Sequence, residues 1–355
     1  MTPQSPGHGS PGPSRRATMT DVARHADVSL KTVSRVVNGV ESVDPEMTRR
    51  VKEAAEALGY RPNFAAAVLR SGSRTATIGL LMKDLRNEFY ATIAAAAADV
   101  ARANGYQLIT SHSGENAEDE LAAVMDLCRR RVDGLLIVPT SGNHAGLRTE
   151  MDLGTPMVFV DRRPEGLPAD AVVLDNFNGA RDGAGQLLDA GHTRIGILID
   201  TLKMPTMAQR LAGVRQAYAD RGVSFELARV IHDVATPEDA AERMTGILAA
   251  ADPPTAFFCG NNRSGMGALR ALWAHGRPEP LVCFDDFYLS ELMPRPVTVI
   301  GYDNYALGEL AAELLFRRIR GESFAPETVV LPTDLRHRGT GAALLPMTPT
   351  TRGTQ

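Results

Sequence analysis

Lys31, Ser34, Arg35 and Asn38 recur at i, i+3, i+4 and i+7, the spacing that gathers side chains on one face of a helix. Val33, Val36 and Val37 fall on the opposite face. The apolar face must pack, which leaves the polar one free to enter the major groove of DNA. Arg35 is long enough to be bidentate to guanine O6 and N7, and Leu30 and Lys31, at the start of the helix, stand nearest base edges. Thr18, Ser29, Thr32 and Asn38 suit phosphate contacts that position a module without reading sequence. The plainer reading is a solvated helix face.

A second polar set is scattered along the chain. Asp161, Asn261 and Asp285 each follow an apolar run, and Arg210 opens the helical stretch RLAGVRQAY. Carboxylates accept hydrogen bonds from hydroxyls while Arg and Asn donate, so the set suits a polyhydroxylated ligand such as a sugar. A strand cap at Asp285 and a helix-start ion pair at Arg210 are the plainer alternatives. Catalysis has no such support. HExxH, Walker A and GxSxG patterns are absent, and GNNRSGMG lacks phosphate-binding spacing. Cys128, Cys259 and Cys283 are too far apart for a metal cluster or disulfide framework, so neither metal nor cofactor is expected and a reducing cytoplasm is. His192 and His275 read as packing or capping residues.

These side chains need elements to position them. Thr20 can cap a helix DVARHA, Ser29 a second, LKTVSRVVN, ending at Gly39, and Asp44-Pro45-Glu46 starts a third that runs to Gly59. Three short helices with a tight first connection make a helix-turn-helix module. Pro62 and Asn63 then open a short helix, Phe64 to Leu69, which cannot hold its fold unaided and suits folding on DNA. Buried-strand candidates follow at 77–82, 106–110, 134–139, 156–161, 171–176, 194–200, 255–259, 281–286 and 297–300, with helical stretches at 89–103, 118–131, 178–190, 208–221 and 264–275. Apolar strands linked by helices imply parallel sheets covered on both faces, and their number implies two lobes. Ligands of such sheets sit at the carboxyl ends of strands.

The 355 residues carry a formal net charge of −4, which as one number speaks against nucleic acid. Between Arg15 and Arg74, however, eleven basic residues face seven acidic ones, while residues 75–355 hold 27 basic and 35 acidic groups. A basic module is joined to an acidic body. No run of 18 apolar residues suggests a membrane span, and the N-terminus has no apolar signal core.

The segment TMTDVARHADVSLKTVSRVVNGVESVDPEMTRRVKEAAEALGYRPN resembles the DNA-binding headpiece of the LacI/GalR family of bacterial transcription regulators. The likeness continues through RPNFAAAVLRSGSRTATIGLL, RRRVDGLLIVPTS, DAGHTRIGIL, QRLAGVRQAY, PPTAFFCGNN, GMGALRAL and LVCFDDFYLSELM, covering about residues 18 to 340. It implies a small all-α helix-turn-helix headpiece joined by a hinge helix to a two-lobed α/β core of two doubly wound, mostly parallel sheets, like a periplasmic binding protein. The expected division is a flexible tail 1–17, a DNA-binding domain 18–60, a hinge 61–74, a core 75–340 and a tail 341–355. Within the core, lobe one takes about 75–173 and 302–330, and lobe two about 174–301 and 331–340.

The resemblance further implies a homodimeric, effector-responsive repressor of operator DNA, acting in the cytoplasm on the nucleoid. Met19, Tyr60 and Asn63 join the DNA-binding set, Ala66 permits close approach of the symmetry mate, and Leu69 matches a wedge inserted between base pairs in the minor groove. Asp161, Arg210, Asn261 and Asp285 match ligand-contacting positions, and Phe89 and Tyr90 an aromatic pair able to stack on a ring. Two lobe arrangements are expected, with the effector favouring one of them. A sugar-binding receptor and a sugar-processing enzyme share the core and are the rival readings.

Three departures stand out. The family's usual Asn-Pro-Phe-Phe is Asn87-Glu88-Phe89-Tyr90 here, its Asn-Asp is Asn261-Asn262, and its common Arg-Gln-Pro-type segment is Ile300-Gly301-Tyr302-Asp303. The first two border the expected cleft, so ligand identity does not carry over. The third is expected near the lobe crossing.

Overall fold

The computed structural model describes residues 17–37, 40, 42–61, 74–288 and 290–339. They form two compact units, divided between Thr75 and Ala76. Asn38, Asn63, Ala66 and Leu69, the expected hinge helix and both expected tails apart from Ala17 lie outside the described residues.

In the first unit, α1 (Met19–Ala26), α2 (Leu30–Val37) and α3 (Pro45–Ala57) surround Val22, Ala23, Ala26, Val33, Val51 and Ala54. The cap of α1 is Thr18, not Thr20: its Oγ1 accepts from the amide of Asp21, and the Asp21 carboxylate accepts from the amide of Thr18 at 2.9 Å. Thr20 lies inside the helix because this reciprocal box needs an acid three residues after the cap. Ser29 accepts from the Thr32 amide at 3.0 Å, and Asp44 from those of Glu46 and Met47. The turn between α1 and α2 is fastened by Arg50 of α3, which donates to the carbonyls of Ala26 and Asp27.

The second unit contains two six-stranded sheets. The first has the order β11-β5-β4-β3-β1-β2, built from β1 (Thr77–Met82), β2 (Gln107–His112), β3 (Leu135–Ile137), β4 (Met157–Asp161), β5 (Asp170–Leu174) and β11 (Thr328–Leu331). The second has the order β12-β10-β9-β8-β6-β7, from β6 (Ile195–Leu198), β7 (Arg229–Ile231), β8 (Ala256–Cys259), β9 (Leu281–Phe284), β10 (Thr298–Gly301) and β12 (Asp334–Arg336). Each sheet repeats the other's winding, and the last strands of the chain return to opposite sheets. Among the described residues every strand pairing is parallel except that of β12 with β10.

The helices of this unit are α4 (Glu88–Ala103), α5 (Ala117–Arg129), α6 (Arg148–Asp152), α7 (Asn176–Asp189), α8 (Pro205–Asp220), α9 (Pro237–Leu248), α10 (Asn262–Ala274) and α11 (Asn304–Ile319). Alternate residues of the inner strands feed different cores. Ile78, Leu80, Ile195 and Ile197 share one continuous cluster, while Leu81 and Leu198 turn to separate ones.

Several expectations change. β2 is an exposed edge strand rather than a buried one, with Ile109 among its exposed residues. β7 and β12 are three residues long and partly exposed, so no apolar run announces them, and β11, an apolar TVVL, is a further strand beyond the expected ones. The helices α6, α9 and α11 were not anticipated either. Arg210 sits one turn inside α8, which starts earlier than expected because Pro205 supplies its first residue.

Helix pairs pack closely through glycines. A Cβ on Gly213 of α8 would lie 2.1 Å from the carbonyl oxygen of Phe177 on α7, and one on Gly267 of α10 would lie 2.2 Å from that of Pro237 on α9. Backbone cannot yield as a flexible side chain can. Gly213→Ala should therefore cost about 1–3 kcal/mol or more of core stability, measured by urea denaturation. Gly246→Ala on α9, where a Cβ meets nothing within 4 Å, is the control expected to melt at least as high as the parent.

Candidate functional site

In the first unit, Leu30, Lys31 and Arg35 are exposed while Val33 of the same helix is wholly buried. One turn separates the packed face from the offered one. Thr32, Ser34, Met19 and Tyr60 are half-buried, and Thr18 and Ser29 are exposed at helix starts. The hydroxyls of Thr18 and Ser29 already serve helix caps, so their amides and remaining lone pairs are what they can offer. Arg35 Nη2 donates to Ser42 Oγ at 2.7 Å, which steadies the guanidinium without neutralising it.

In the second unit, one cavity opens at the carboxyl ends of both sheets. Phe89, Tyr90, Asp161, Arg210, Asn261 and Asp285, named above from sequence, all line it. Lys83, Arg162, Asp200, Thr206, Asn262 and Tyr302 line it too and were not singled out for ligand contact. Lys83 and Asp200 end the apolar runs of β1 and β6, so the strand-end rule that found Asp161 could have found them. Tyr302, expected near the lobe crossing, also forms part of the cavity wall.

Arg210 reaches the cavity from α8 with its side chain only 4% exposed. A charge so placed must be paired. Its Nε donates to Asn176 Oδ1 at 2.8 Å and its Nη1 to the carbonyl of Gly260 at 2.6 Å. Nη2 lies 3.2 Å from Asp285 Oδ1. The guanidinium also lies 3.6 Å over the Phe284 ring. Asp285 accepts further from the Tyr302 hydroxyl at 2.8 Å and the Asn262 amide at 3.4 Å. It is therefore heavily committed within the protein.

Asp161 occupies the matching place in the first sheet. It ends β4, as Asp285 follows β9, and both have φ +70°. A left-handed Asp is tolerated but uncommon, and strain of this kind gathers at functional sites. Arg162 Nε donates to one Asp161 oxygen at 3.2 Å, and its other nitrogens hold the Pro139 carbonyl and Glu115. Burial raises the Asp161 carboxyl above its usual range, against the opposing pull of Arg162 and Arg210. Burial raises Asp200 as well, against the Thr201 amide and Lys83.

Phe89 and Tyr90 meet edge to face at 4.9 Å, and Phe89 meets Tyr302 at 6.2 Å. The hydroxyls of Tyr90 and Thr206 are on buried residues and have no hydrogen-bond partner among the described residues. Asn261 spends Oδ1 on capping α10 through the Ser264 amide, which leaves its Nδ2 as the donor it can offer. Among the described residues no group of three or more His, Cys, Asp or Glu is placed to hold a metal ion. No described helix is long and apolar enough to cross a membrane.

A helix-turn-helix unit with an exposed basic helix, together with a two-lobed sheet core around a polar cavity, defines a DNA-binding regulator with a ligand-binding core. Residues 18–63 match the model for bacterial regulatory proteins of the lacI family, and residues 75–336 that for periplasmic binding proteins and the sugar binding domain of the LacI family. The chain belongs to the LacI family of transcription regulators.

Catabolite control protein A of Priestia megaterium is 29% identical over 90% of this chain and 98% of its own. The ribose operon repressor of Haemophilus influenzae is 30% identical over 89% and 96%. Among solved structures, the Lac repressor dimer bound to operator and the anti-inducer ONPF is similar with a TM-score of 0.82 at 26% identity, covering 93% of this chain and all of that one.

A carboxyl whose pKa is higher in the folded chain than the usual value near 4 favours folding in its protonated form. That contribution is complete below the unfolded value and is lost as pH rises through the raised one. Asp161→Asn, which keeps the shape without the charge, should therefore melt at or above the parent near pH 7. The difference should close as pH falls toward about 4. Thermal melts across that range check it, and a mutant melting far below the parent at neutral pH would show that pairing with Arg162 outweighs burial.

Proposed function

We propose that this chain is a homodimeric repressor whose affinity for a pseudo-palindromic operator is controlled by a sugar or sugar derivative bound in the cavity. The observation that carries the ligand class is the mixture of groups with capacity to spare around one cavity: donors on Tyr90, Thr206 and Asn261 beside the carboxylate of Asp161, which has one arginine on one oxygen. A hydroxyl both donates and accepts, so a polyol satisfies both kinds at once. Phe89 and Tyr90 add an apolar wall suited to a ring face.

On the DNA side, Leu30, Lys31, Ser34 and Arg35 read base edges, while Thr18, Met19, Ser29, Thr32, Asn38 and Tyr60 position the module on the backbone. Asn63, Ala66 and Leu69 belong to the hinge and its wedge. Two reading helices require two chains, which is the basis of the dimer. Effector control follows if the ligand binds the two lobe arrangements unequally, because only differential affinity shifts their populations. The protein works in the cytoplasm, on the nucleoid, and binds its sugar without turning it over.

Capture of genomic DNA fragments on the full chain, followed by release with individual sugars, tests both halves. One sugar should release a defined fragment and be recovered unchanged; consumption of the sugar with no DNA retained would support an enzyme instead. On the captured operator, Arg35→Ala should cost about 1–3 kcal/mol and relax preference at one base pair per half-site, read by binding to single-base operator variants. Unchanged base preference would count against Arg35 as a reader.

A further inference from the structure

Three polar contacts cross between the two lobes beside the cavity. Asn262 Nδ2 donates to Asn87 Oδ1 at 2.9 Å, the Tyr288 amide donates to Glu88 Oε2 at 3.1 Å, and Lys83 Nζ lies 3.8 Å from Asp200 Oδ2. Asn87, Glu88 and Lys83 sit in or just after the loop that follows β1 of the first sheet. In the second, Asn262 opens α10, Tyr288 lies in the loop after β9 and Asp200 follows β6.

The two hydrogen bonds depend on the residues at which this chain departs from its family's usual pattern. A proline at position 88 offers no side-chain oxygen. An aspartate at 262 carries no proton to donate when ionised. Nor can Asn87 turn its amide round to suit an aspartate, because its Oδ1 also caps α4 by accepting from the Phe89 amide at 3.1 Å. Glu88 and Asn262 are each the first residue of their helix, α4 and α10, directly after an Asn cap. Helix starts thus present Asn87, Glu88 and Asn262, while the Tyr288 amide comes from the loop that follows β9.

Asp161 in the first lobe feels both Arg210 and Asp285 of the second, and the attraction of Arg210 exceeds the repulsion of Asp285, so the charges facing across the cleft do not force it open. We infer that Asn87, Glu88 and Asn262 form a clasp across the mouth of the cleft that keeps the two lobes at the closed spacing through the chain's own residues. They are positioning residues: they set the distance at which the groups of one lobe face those of the other. Closure in this chain therefore does not wait on a ligand, and the clasp stands whatever that ligand is.

The test reads lobe spacing with no ligand added. In the full chain with Cys128→Ser, nitroxides are attached at Leu153→Cys, just after α6 in lobe one, and at Trp273→Cys on α10 in lobe two. Both positions are strongly exposed, and Cys259 and Cys283 are buried and stay unlabelled. Mixed with an excess of unlabelled chain, so that a dimer carries one labelled subunit, the protein should give one dominant distance by pulsed electron paramagnetic resonance. Combining Glu88→Pro with Asn262→Asp should raise a second, displaced population on the order of tenfold, as expected for the loss of two hydrogen bonds.

Proline fits the first position of a helix, and an acid there suits the helix dipole, so both helices should survive; an unchanged far-ultraviolet circular dichroism spectrum confirms it. Glu88→Gln keeps an acceptor and should retain the parent distribution. A double variant with the parent distribution, a parent already broadly open, or a Gln variant that opens like the proline one each overturns the clasp.

Discussion

The second lobe depends on one buried guanidinium. Arg210 leaves α8 and is held by Asn176 at the start of α7, by the carbonyl of Gly260 beyond β8 and by Asp285 beyond β9, with the ring of Phe284 beneath it. Four elements thus meet on a single charge. Removing one partner of such a pair costs about 3–5 kcal/mol, because the other is left buried and uncompensated. Asp285 meets the guanidinium from a left-handed backbone, which costs about 1–3 kcal/mol and persists only where the surroundings hold it. The polar floor of the cavity is thus also the structural junction of its lobe, and its charges cannot be altered without touching the fold.

The matching position in the first lobe is used differently. Asp161 stands at the end of β4 as Asp285 stands beyond β9, in the same left-handed conformation and the same place in sheet order. Yet Asp161 has one arginine on one oxygen, whereas Asp285 has an arginine, a tyrosine hydroxyl and a backbone amide. Repeated winding supplied two equivalent strand ends, and side-chain neighbours made one a fixed post and the other an available acceptor. Tyr302 completes the fixed post, so the segment that departs from the family pattern changes the chemistry of the cavity wall itself.

Strands and helices with strong apolar periodicity were legible in the sequence, and those without it were not. β1, β4, β8 and β9 are buried through nearly their whole length and read as apolar runs. β7 and β12 are three residues long, with Arg at a strand end, and take their structure from the neighbour they pair with. The same limit applies to the site. Asp161 and Asp285 were visible because a carboxylate directly after an apolar run is conspicuous. Thr206 and Tyr90 were not recognisable as uncommitted donors, since whether a hydroxyl has a partner depends on atoms distant in sequence. Thr18 shows a third kind of miss: two threonines competed for one cap, and only the carboxylate of Asp21 three residues after Thr18 decided between them.

Charge counting illustrates how structure divides residues that composition treats alike. The excess of basic residues between Arg15 and Arg74 suggests an electropositive module, but its cations hold different posts. Arg49 is spent on Glu46 and Glu53 along α3, and Arg50 on the carbonyls of the turn before α2. Lys31 has no ion-pair partner among the described residues, and Arg35 leans only on the neutral hydroxyl of Ser42. Among the described residues, positive charge is therefore neutralised where it holds helices together and left without an acidic partner on the face that α2 exposes. A phosphate or base edge approaching that face meets cations for which no described carboxylate competes, which is the electrostatic condition for binding DNA on a chain whose total charge is negative.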